Sequence, residues 1–85
     1  MRVLFVDDNE MNRKVVKAML GAAEVVMTEA ESAEAGLSAI ETGDFDLVLM
    51  DLRMPGMDGL AAIRQVRSRA DHKAGLPIIV VTADT

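Results

Sequence analysis

Four polar residues stand directly after short apolar runs of the sequence: Asp7, Asp8, Asp51 and Thr82. If those runs are neighbouring strands of a parallel sheet, their carboxyl ends share one edge, where ligands of such sheets bind. Three carboxylates brought close together at that edge repel one another, so a proton or a cation must join them. Carboxylate oxygens with open positions suit Mg²⁺, which binds through one or two carboxylates and keeps several waters. The sequence therefore predicts a Mg²⁺ site at the edge of a sheet.

A helix cap is the competing interpretation for any one of these acids, because Asp and Asn are preferred N-cap residues. Taken alone, Asp8 or Asn9 is more typical of a cap than of a metal ligand. A pair of acids after one strand, with a third after its neighbour, is much less expected by chance, so the joint pattern favours the metal site. The single histidine, His72, stands between Asp71 and Lys73 in a polar loop and is expected to be solvated.

Short apolar runs alternate with amphipathic stretches along the chain, which predicts strands alternating with helices. Strands are predicted at residues 3–6, 24–28, 47–50 and 78–81, the second of them at a sheet edge. Helices are predicted between them, over residues 10–20, near residues 33–40 and from residue 60 onward. This βαβαβαβ order requires parallel strands joined by right-handed crossovers.

The first predicted helix carries an apolar stripe at helical spacing, formed by Met11, Val15, Ala18 and Met19. An apolar stripe of this kind is typical of the core-facing side of a helix, and Arg13 falls outside it. Val16 and Leu20 widen the apolar face. Gly21 is expected to end the helix.

The composition limits the class of protein. The 85 residues suffice for one domain, and an apolar fraction of 51% excludes disorder. The net charge of −5 argues against nucleic-acid binding, and the absence of cysteine excludes disulfides and thiolate metal sites. The apolar runs are too short to span a bilayer and no signal peptide opens the chain, so we expect a cytoplasmic domain with no membrane partner.

Three segments resemble the receiver domain of response regulators: residues 3–8 (VLFVDD), 47–59 (LVLMDLRMPGMDG) and 78–83 (IIVVTA). The resemblance runs from the first strand to the end of the fourth, and the acidic start is most similar to receivers of hybrid histidine kinases. It implies an α/β fold, a flavodoxin-like (CheY-like) doubly wound parallel sheet of order 2-1-3-4. It also implies membership of a two-component phosphorelay.

The resemblance implies a role for each polar residue at the sheet edge. Asp51 would be the phosphoacceptor, taking a phosphoryl group from a phosphohistidine of a histidine kinase or histidine phosphotransfer domain. Asp8 would bind Mg²⁺ directly and Asp7 mostly through water, with the backbone carbonyl of Arg53 as a further ligand. Thr82 would hydrogen-bond the phosphoryl group and report phosphorylation. Such a domain accepts a phosphoryl group and is not a turnover enzyme.

The resemblance also implies that residues 1–85 form a C-terminally incomplete receiver, without the fourth helix, fifth strand, fifth helix and the lysine that ends the fifth strand. Residues 78–81 would then be an unprotected apolar strand edge, and Val16 and Leu20 would face water. Such an edge predicts a homo-oligomer. A fragment of a longer receiver and a natural short form both remain open. A receiver that serves as a non-phosphorylated protein–protein assembly module is the alternative function.

Overall fold

The computed structural model describes residues 1–51 and 59–81 of the chain. Its elements, in chain order, are β1 (Arg2–Val6), α1 (Glu10–Ala22), β2 (Val26–Ala30), α2 (Ala33–Thr42), β3 (Leu47–Asp51), α3 (Gly59–Arg67), a 3₁₀ helix (His72–Gly75) and β4 (Ile78–Val81). The four strands are parallel and lie in the order β2-β1-β3-β4. The predicted α/β fold and strand order are confirmed.

The strand register makes the carboxyl ends of β1 and β3 level with each other. Val6, the last residue of β1, pairs with Met50. Asp7 follows Val6 and therefore lies opposite Asp51, which ends β3. The N–H of Asp7 donates to the carbonyl of Ala30 at 3.0 Å, which extends the β1–β2 ladder by one residue. The backbone register alone thus places the two acids next to each other.

The core lies on the face of the sheet that α2 and α3 cover. Its largest members are fully or almost fully buried: Leu4, Val6, Ile40, Val48, Met50 and Val66. Because successive strand residues point to opposite faces, Val3 and Phe5 point towards the other side, where α1 packs. No residue of α1 is buried, so α1 is the least covered of the three α-helices.

The predicted orientation of α1 is wrong. Met11, Val15 and Met19 of the predicted stripe are 67%, 51% and 67% exposed, whereas Val16 and Leu20 are half-buried. The polar residues of the first turn explain the difference, because Asn12 and Arg13 are also half-buried and form hydrogen bonds to Asp7 at the sheet edge. The first turn of α1 therefore presents these polar residues to the sheet edge, and the apolar stripe faces outward.

The end of α1 also differs from the prediction. Gly21 lies inside the helix, which ends in a Schellman motif: the N–H of Glu24 donates to the carbonyl of Gly21 at 3.1 Å, and that of Val25 to the carbonyl of Leu20 at 3.0 Å. Glu24 has a φ of 60°, the left-handed conformation that this position requires. Residues 23–25 are used to end the helix, so β2 begins at Val26, two residues later than predicted.

Close packing places α2 against the end of β1. The side chain of Ser32 caps α2 by accepting a hydrogen bond from the N–H of Ala35 at 3.0 Å. A Cβ added to Gly36 would lie 2.8 Å from Cγ2 of Val6, the residue that precedes Asp7. A glycine is therefore needed at this contact.

The loop before β4 is more ordered than its polar composition suggests. His72 is exposed, as expected, but it begins the 3₁₀ helix. Lys73 extends its amino group to the carboxyl end of α2 and donates to the carbonyls of Ile40, Glu41 and Gly43 at 2.7, 3.1 and 3.1 Å. This contact holds α2 from the side opposite the acids. In the described part of the chain, no helix has the length and apolar content needed to cross a bilayer.

Gly36→Ala is expected to lower the free energy of unfolding by roughly 1–3 kcal/mol, because the branched, buried side chain of Val6 cannot move away from the new methyl group. Gly21→Ala is the matched control: nothing lies within 4 Å of its added Cβ. That variant should gain up to about 1 kcal/mol from helix propensity. Urea unfolding followed by circular dichroism measures both changes. Equal stability of the two variants would contradict the close packing of α2 on β1.

Asp71 provides a pH-dependent test of the loop before β4. The Arg69 guanidinium donates to both of its carboxylate oxygens, at 3.0 and 2.8 Å, and lowers the pKa of Asp71 from 3.8 to about 2. Because the pKa of Asp71 is lower in the folded chain than in the unfolded chain, its carboxylate contributes to stability. This contribution is fully present above pH 3.8 and is lost as the pH falls through about 2. An NMR titration should show this midpoint, and Arg69→Gln should move it upward. An unchanged midpoint in that variant would refute the ion pair.

Candidate metal centre

Three carboxylates meet at the carboxyl ends of β1 and β3. Asp7 and Asp8 follow β1, Asp51 ends β3, and one oxygen of each carboxylate lies within 4.8 Å of the others. Asp7 and Asp51 are buried, with exposed fractions of 2% and 4%, whereas Asp8 is exposed. The structure thus brings together the three acids that the sequence pattern selected.

The electrostatics of this cluster favour a cation. Neighbouring carboxylates destabilise one another's charged form, and burial of Asp7 and Asp51 weakens the screening by water. The donor set consists of carboxylate oxygens, which hard divalent cations such as Mg²⁺ prefer. The exposed Asp8 gives the cluster an open side towards solvent. The residues present therefore fit Mg²⁺ by their chemistry and by their placement.

Asp7 accepts hydrogen bonds on both its carboxylate and its main-chain carbonyl. Its Oδ1 accepts from the main-chain N–H of Asn9 at 2.8 Å, and its Oδ2 accepts from Nδ2 of Asn12 at 3.3 Å. Its main-chain carbonyl accepts from Nη1 of Arg13 at 2.6 Å. The carboxylate and the backbone of Asp7 are therefore fixed separately.

Asn9 is the N-cap of α1, with its side-chain oxygen accepting from the N–H of Asn12 at 3.1 Å. The cap interpretation considered for Asp8 or Asn9 therefore holds for Asn9. The acids on its N-terminal side remain at the sheet edge with the carboxylate of Asp51.

Sequence reasoning did not select Asn12 or Arg13. The Nε of Arg13 donates to one carboxylate oxygen of Glu29 at 3.2 Å, and Nζ of Lys17 donates to the other at 3.3 Å. Arg13 and Lys17 thus join α1 to β2. The one available signal was position, since both residues lie in the first turn of the helix that follows the paired acids. The apolar stripe of the sequence placed Arg13 on the other side of the helix and made no prediction for Asn12.

Two residues named from the resemblance, Arg53 and Thr82, lie outside the described residues. Their expected roles, as a carbonyl ligand and as a hydrogen-bond donor to the phosphoryl group, stay predictions. A cavity of about 250 Å³ beside Asp7, between α1 and the sheet, is lined by Phe5, Asp7, Asn12, Val15, Val16 and Val81. Apolar side chains thus border the acid cluster on that side.

Comparison with known proteins gives the family. Residues 3–85 match the model of the response regulator receiver domain. The chain belongs to this family. The resemblance noted in the sequence is therefore confirmed, and the acid cluster lies in a receiver domain.

The relatives of this chain include a sensor histidine kinase and two solved response regulator proteins. The chain is 44% identical to the sensor histidine kinase GacS of Pseudomonas protegens, over 96% of the chain but 9% of GacS. It is 36% identical to a solved receiver protein of Pseudomonas putida, with a TM-score of 0.89 over 99% of the chain and 69% of that protein. It is 33% identical to TrrA of Thermotoga maritima, solved in complex with Mg²⁺-BeF, with a TM-score of 0.89 over 99% of the chain and 70% of TrrA.

Proposed function

We propose that this receiver domain accepts a phosphoryl group from a phosphohistidine onto Asp51, in a reaction that depends on Mg²⁺. The observation that carries the proposal is the placement of Asp51: the residue is 4% exposed, and one of its carboxylate oxygens lies within 4.8 Å of an oxygen of Asp7 and of one of Asp8. The complex of the relative TrrA with Mg²⁺-BeF supports a cation in this kind of site.

The proposed transfer is a substitution at phosphorus. A carboxylate oxygen of Asp51 forms a bond to the phosphorus atom while the bond from phosphorus to the imidazole nitrogen breaks. The electron pair of the broken bond stays on that nitrogen, which takes up one proton from solvent, so the histidine leaves as neutral imidazole. The product is an acyl phosphate on Asp51, so each chain takes up one phosphoryl group rather than turning over substrate.

The three acids have different roles in binding the cation and in accepting the phosphoryl group. Asp8, the exposed member, and Asp51 would hold Mg²⁺ most directly, while Asp7 is engaged by hydrogen bonds from Asn9 and Asn12. When bound, Mg²⁺ neutralises charge on the oxygens of the transferring phosphoryl group. The buried position of Asp51 limits competing hydrolysis by keeping bulk water from one side of the product.

The phosphoryl donor would be a histidine kinase or a histidine phosphotransfer domain. GacS, a sensor histidine kinase by name, contains a segment 44% identical to this chain, which supports a donor of that class. The cytoplasmic location, and the expectation of no nucleic-acid or membrane partner, stay predictions of the sequence.

Asp51→Asn is expected to abolish phosphorylation and keep the fold, because the substitution is nearly isosteric and removes only the nucleophilic charge. Intact mass after incubation with Mg²⁺ and acetyl phosphate should show a single phosphoryl adduct on the wild-type chain and none on the variant. Asp44→Asn, an exposed acid before the start of β3, is the control and should retain the adduct. An adduct on Asp51→Asn at the wild-type rate would show that the acceptor is another residue.

A second candidate function, protein–protein assembly, is supported by the outer edge of the sheet. In the part of the chain that the structure describes, β4 pairs with β3 alone. Its residues Ile79 and Val80 are 52% and 42% exposed. An apolar strand edge of this kind is a template for pairing with another chain. Self-association through β4 is compatible with the phosphoacceptor function and does not require it.

The self-association prediction is tested by mass in solution. Light scattering at micromolar concentration should give the mass of a dimer or larger species for the wild-type chain, and Ile79→Lys should shift it towards one chain, since a charge on the strand opposes pairing. Leu60→Lys, at an exposed position of α3, is the control and should leave the mass unchanged. A wild-type mass equal to one chain would exclude assembly through this edge.

A further inference from the structure

We propose that Asn12 is a positioning residue for the metal centre: it fixes the carboxylate of Asp7 so that the acid cluster prefers Mg²⁺ over larger cations. This inference rests on the proposed function, because it concerns the same cation. It assigns a role to the first turn of α1 that neither the sequence pattern nor the relatives' names provide.

The inference is carried by two hydrogen bonds, in which donors at the start of α1 bind the two carboxylate oxygens of Asp7. The Asn9 N–H holds Oδ1 of Asp7 at 2.8 Å, and Nδ2 of Asn12 holds Oδ2 at 3.3 Å. Asn9 also fixes Asn12 itself, since its side chain accepts from the Asn12 N–H at 3.1 Å. With both oxygens engaged by the same turn, the plane of the Asp7 carboxylate cannot rotate without losing a hydrogen bond.

Arg13 makes the turn rigid relative to the sheet. Its guanidinium donates to the Asp7 carbonyl at 2.6 Å and to Glu29 on β2 at 3.2 Å, and its side chain is only 12% exposed. The main-chain carbonyl of Asp7 is therefore held by Arg13, while its carboxylate is held by the Asn9 N–H and the Asn12 amide. Loss of the Asn12 amide would free Oδ2 alone and leave the bonds to Oδ1 and to the main-chain carbonyl in place, so its effect is separable from that of the backbone.

The orientation of Asp7 matters because of what surrounds it. On the side of Asn12, the cavity next to Asp7 is bordered by apolar residues, among them Phe5, Val15 and Val16. Within that lining, Asn12 is the polar neighbour that the structure shows donating to Asp7. Without the Asn12 amide, the carboxylate would keep its bond from the Asn9 N–H and could rotate about it, which would move Oδ2 and change the geometry of the cation site.

The expected consequence is a change in cation preference. Mg²⁺ requires near-octahedral geometry and short bonds, whereas Ca²⁺ accepts flexible geometry and more oxygen ligands. Hydrogen-bond partners of metal ligands alter metal affinity by roughly 10–100-fold when removed, and the 3.3 Å length of this bond places it at the lower end. Loss of the Asn12 amide should thus weaken Mg²⁺ binding more than Ca²⁺ binding.

The test is a titration of the whole chain with Mg²⁺ and with Ca²⁺, by isothermal calorimetry or by NMR amide shifts. Asn12→Ala is expected to raise the Kd for Mg²⁺ roughly tenfold and the Kd for Ca²⁺ less, so the Mg²⁺ preference falls. Asn12→Leu, which keeps the side-chain shape but has no donor, should give the same result. Alanine and leucine both favour helix, so α1 is expected to form in both variants.

Leu20→Ala, a half-buried position near the other end of α1, is the control for a general loss of helix packing. It should lower stability and leave the ratio of the two Kd values unchanged. If the wild-type chain binds Mg²⁺ and both Asn12 variants keep its Kd values, the positioning role is wrong and the phosphoacceptor function stands. If Leu20→Ala changes the ratio equally, the positioning role is also wrong. A wild-type chain that binds no Mg²⁺ overturns both proposals.

Discussion

Repulsion among three carboxylates at one sheet edge is the constraint on which the site depends. Asp7 and Asp51 are buried and have oxygens within 4.8 Å of each other, so negative charges on the two carboxylates repel each other with little screening by water. The fold maintains this arrangement because the parallel register of β1 and β3 leaves both acids at the same level. Packing of the core therefore stabilises a fold in which like charges are held close together.

Asp7 also contacts α1, through the side chains of the first turn of that helix. A helix that satisfied only hydrophobic burial would place Met11, Val15 and Met19 against the sheet, yet these side chains are exposed. Asn12 and Arg13 take the inward positions because the carboxylate and carbonyl of Asp7 need donors. The first turn of α1 thus presents hydrogen-bond donors to Asp7, and the apolar stripe of the helix lies on the outside.

The acid cluster could be predicted from the sequence because it follows from local rules. Apolar runs predicted the strands, and parallel strands share the edge at which Asp7, Asp8 and Asp51 lie. The face of α1 could not be predicted, since the bonds of Arg13 to Asp7 and Glu29 join residues from three elements. The predicted end of α1 was wrong because the residue with the left-handed conformation is Glu24, at a position where glycine is usual. Gly21 is part of the helix.

The central claim is that buried acids repel one another until a cation joins them, and the free energy of unfolding with and without Mg²⁺ tests it most directly. Asp7→Asn removes one charge at nearly constant shape. The account predicts that this variant is more stable than the wild-type chain without Mg²⁺ and gains less from Mg²⁺ than the wild-type chain does. A variant that is less stable without Mg²⁺, together with a wild-type chain that Mg²⁺ does not stabilise, would contradict the account.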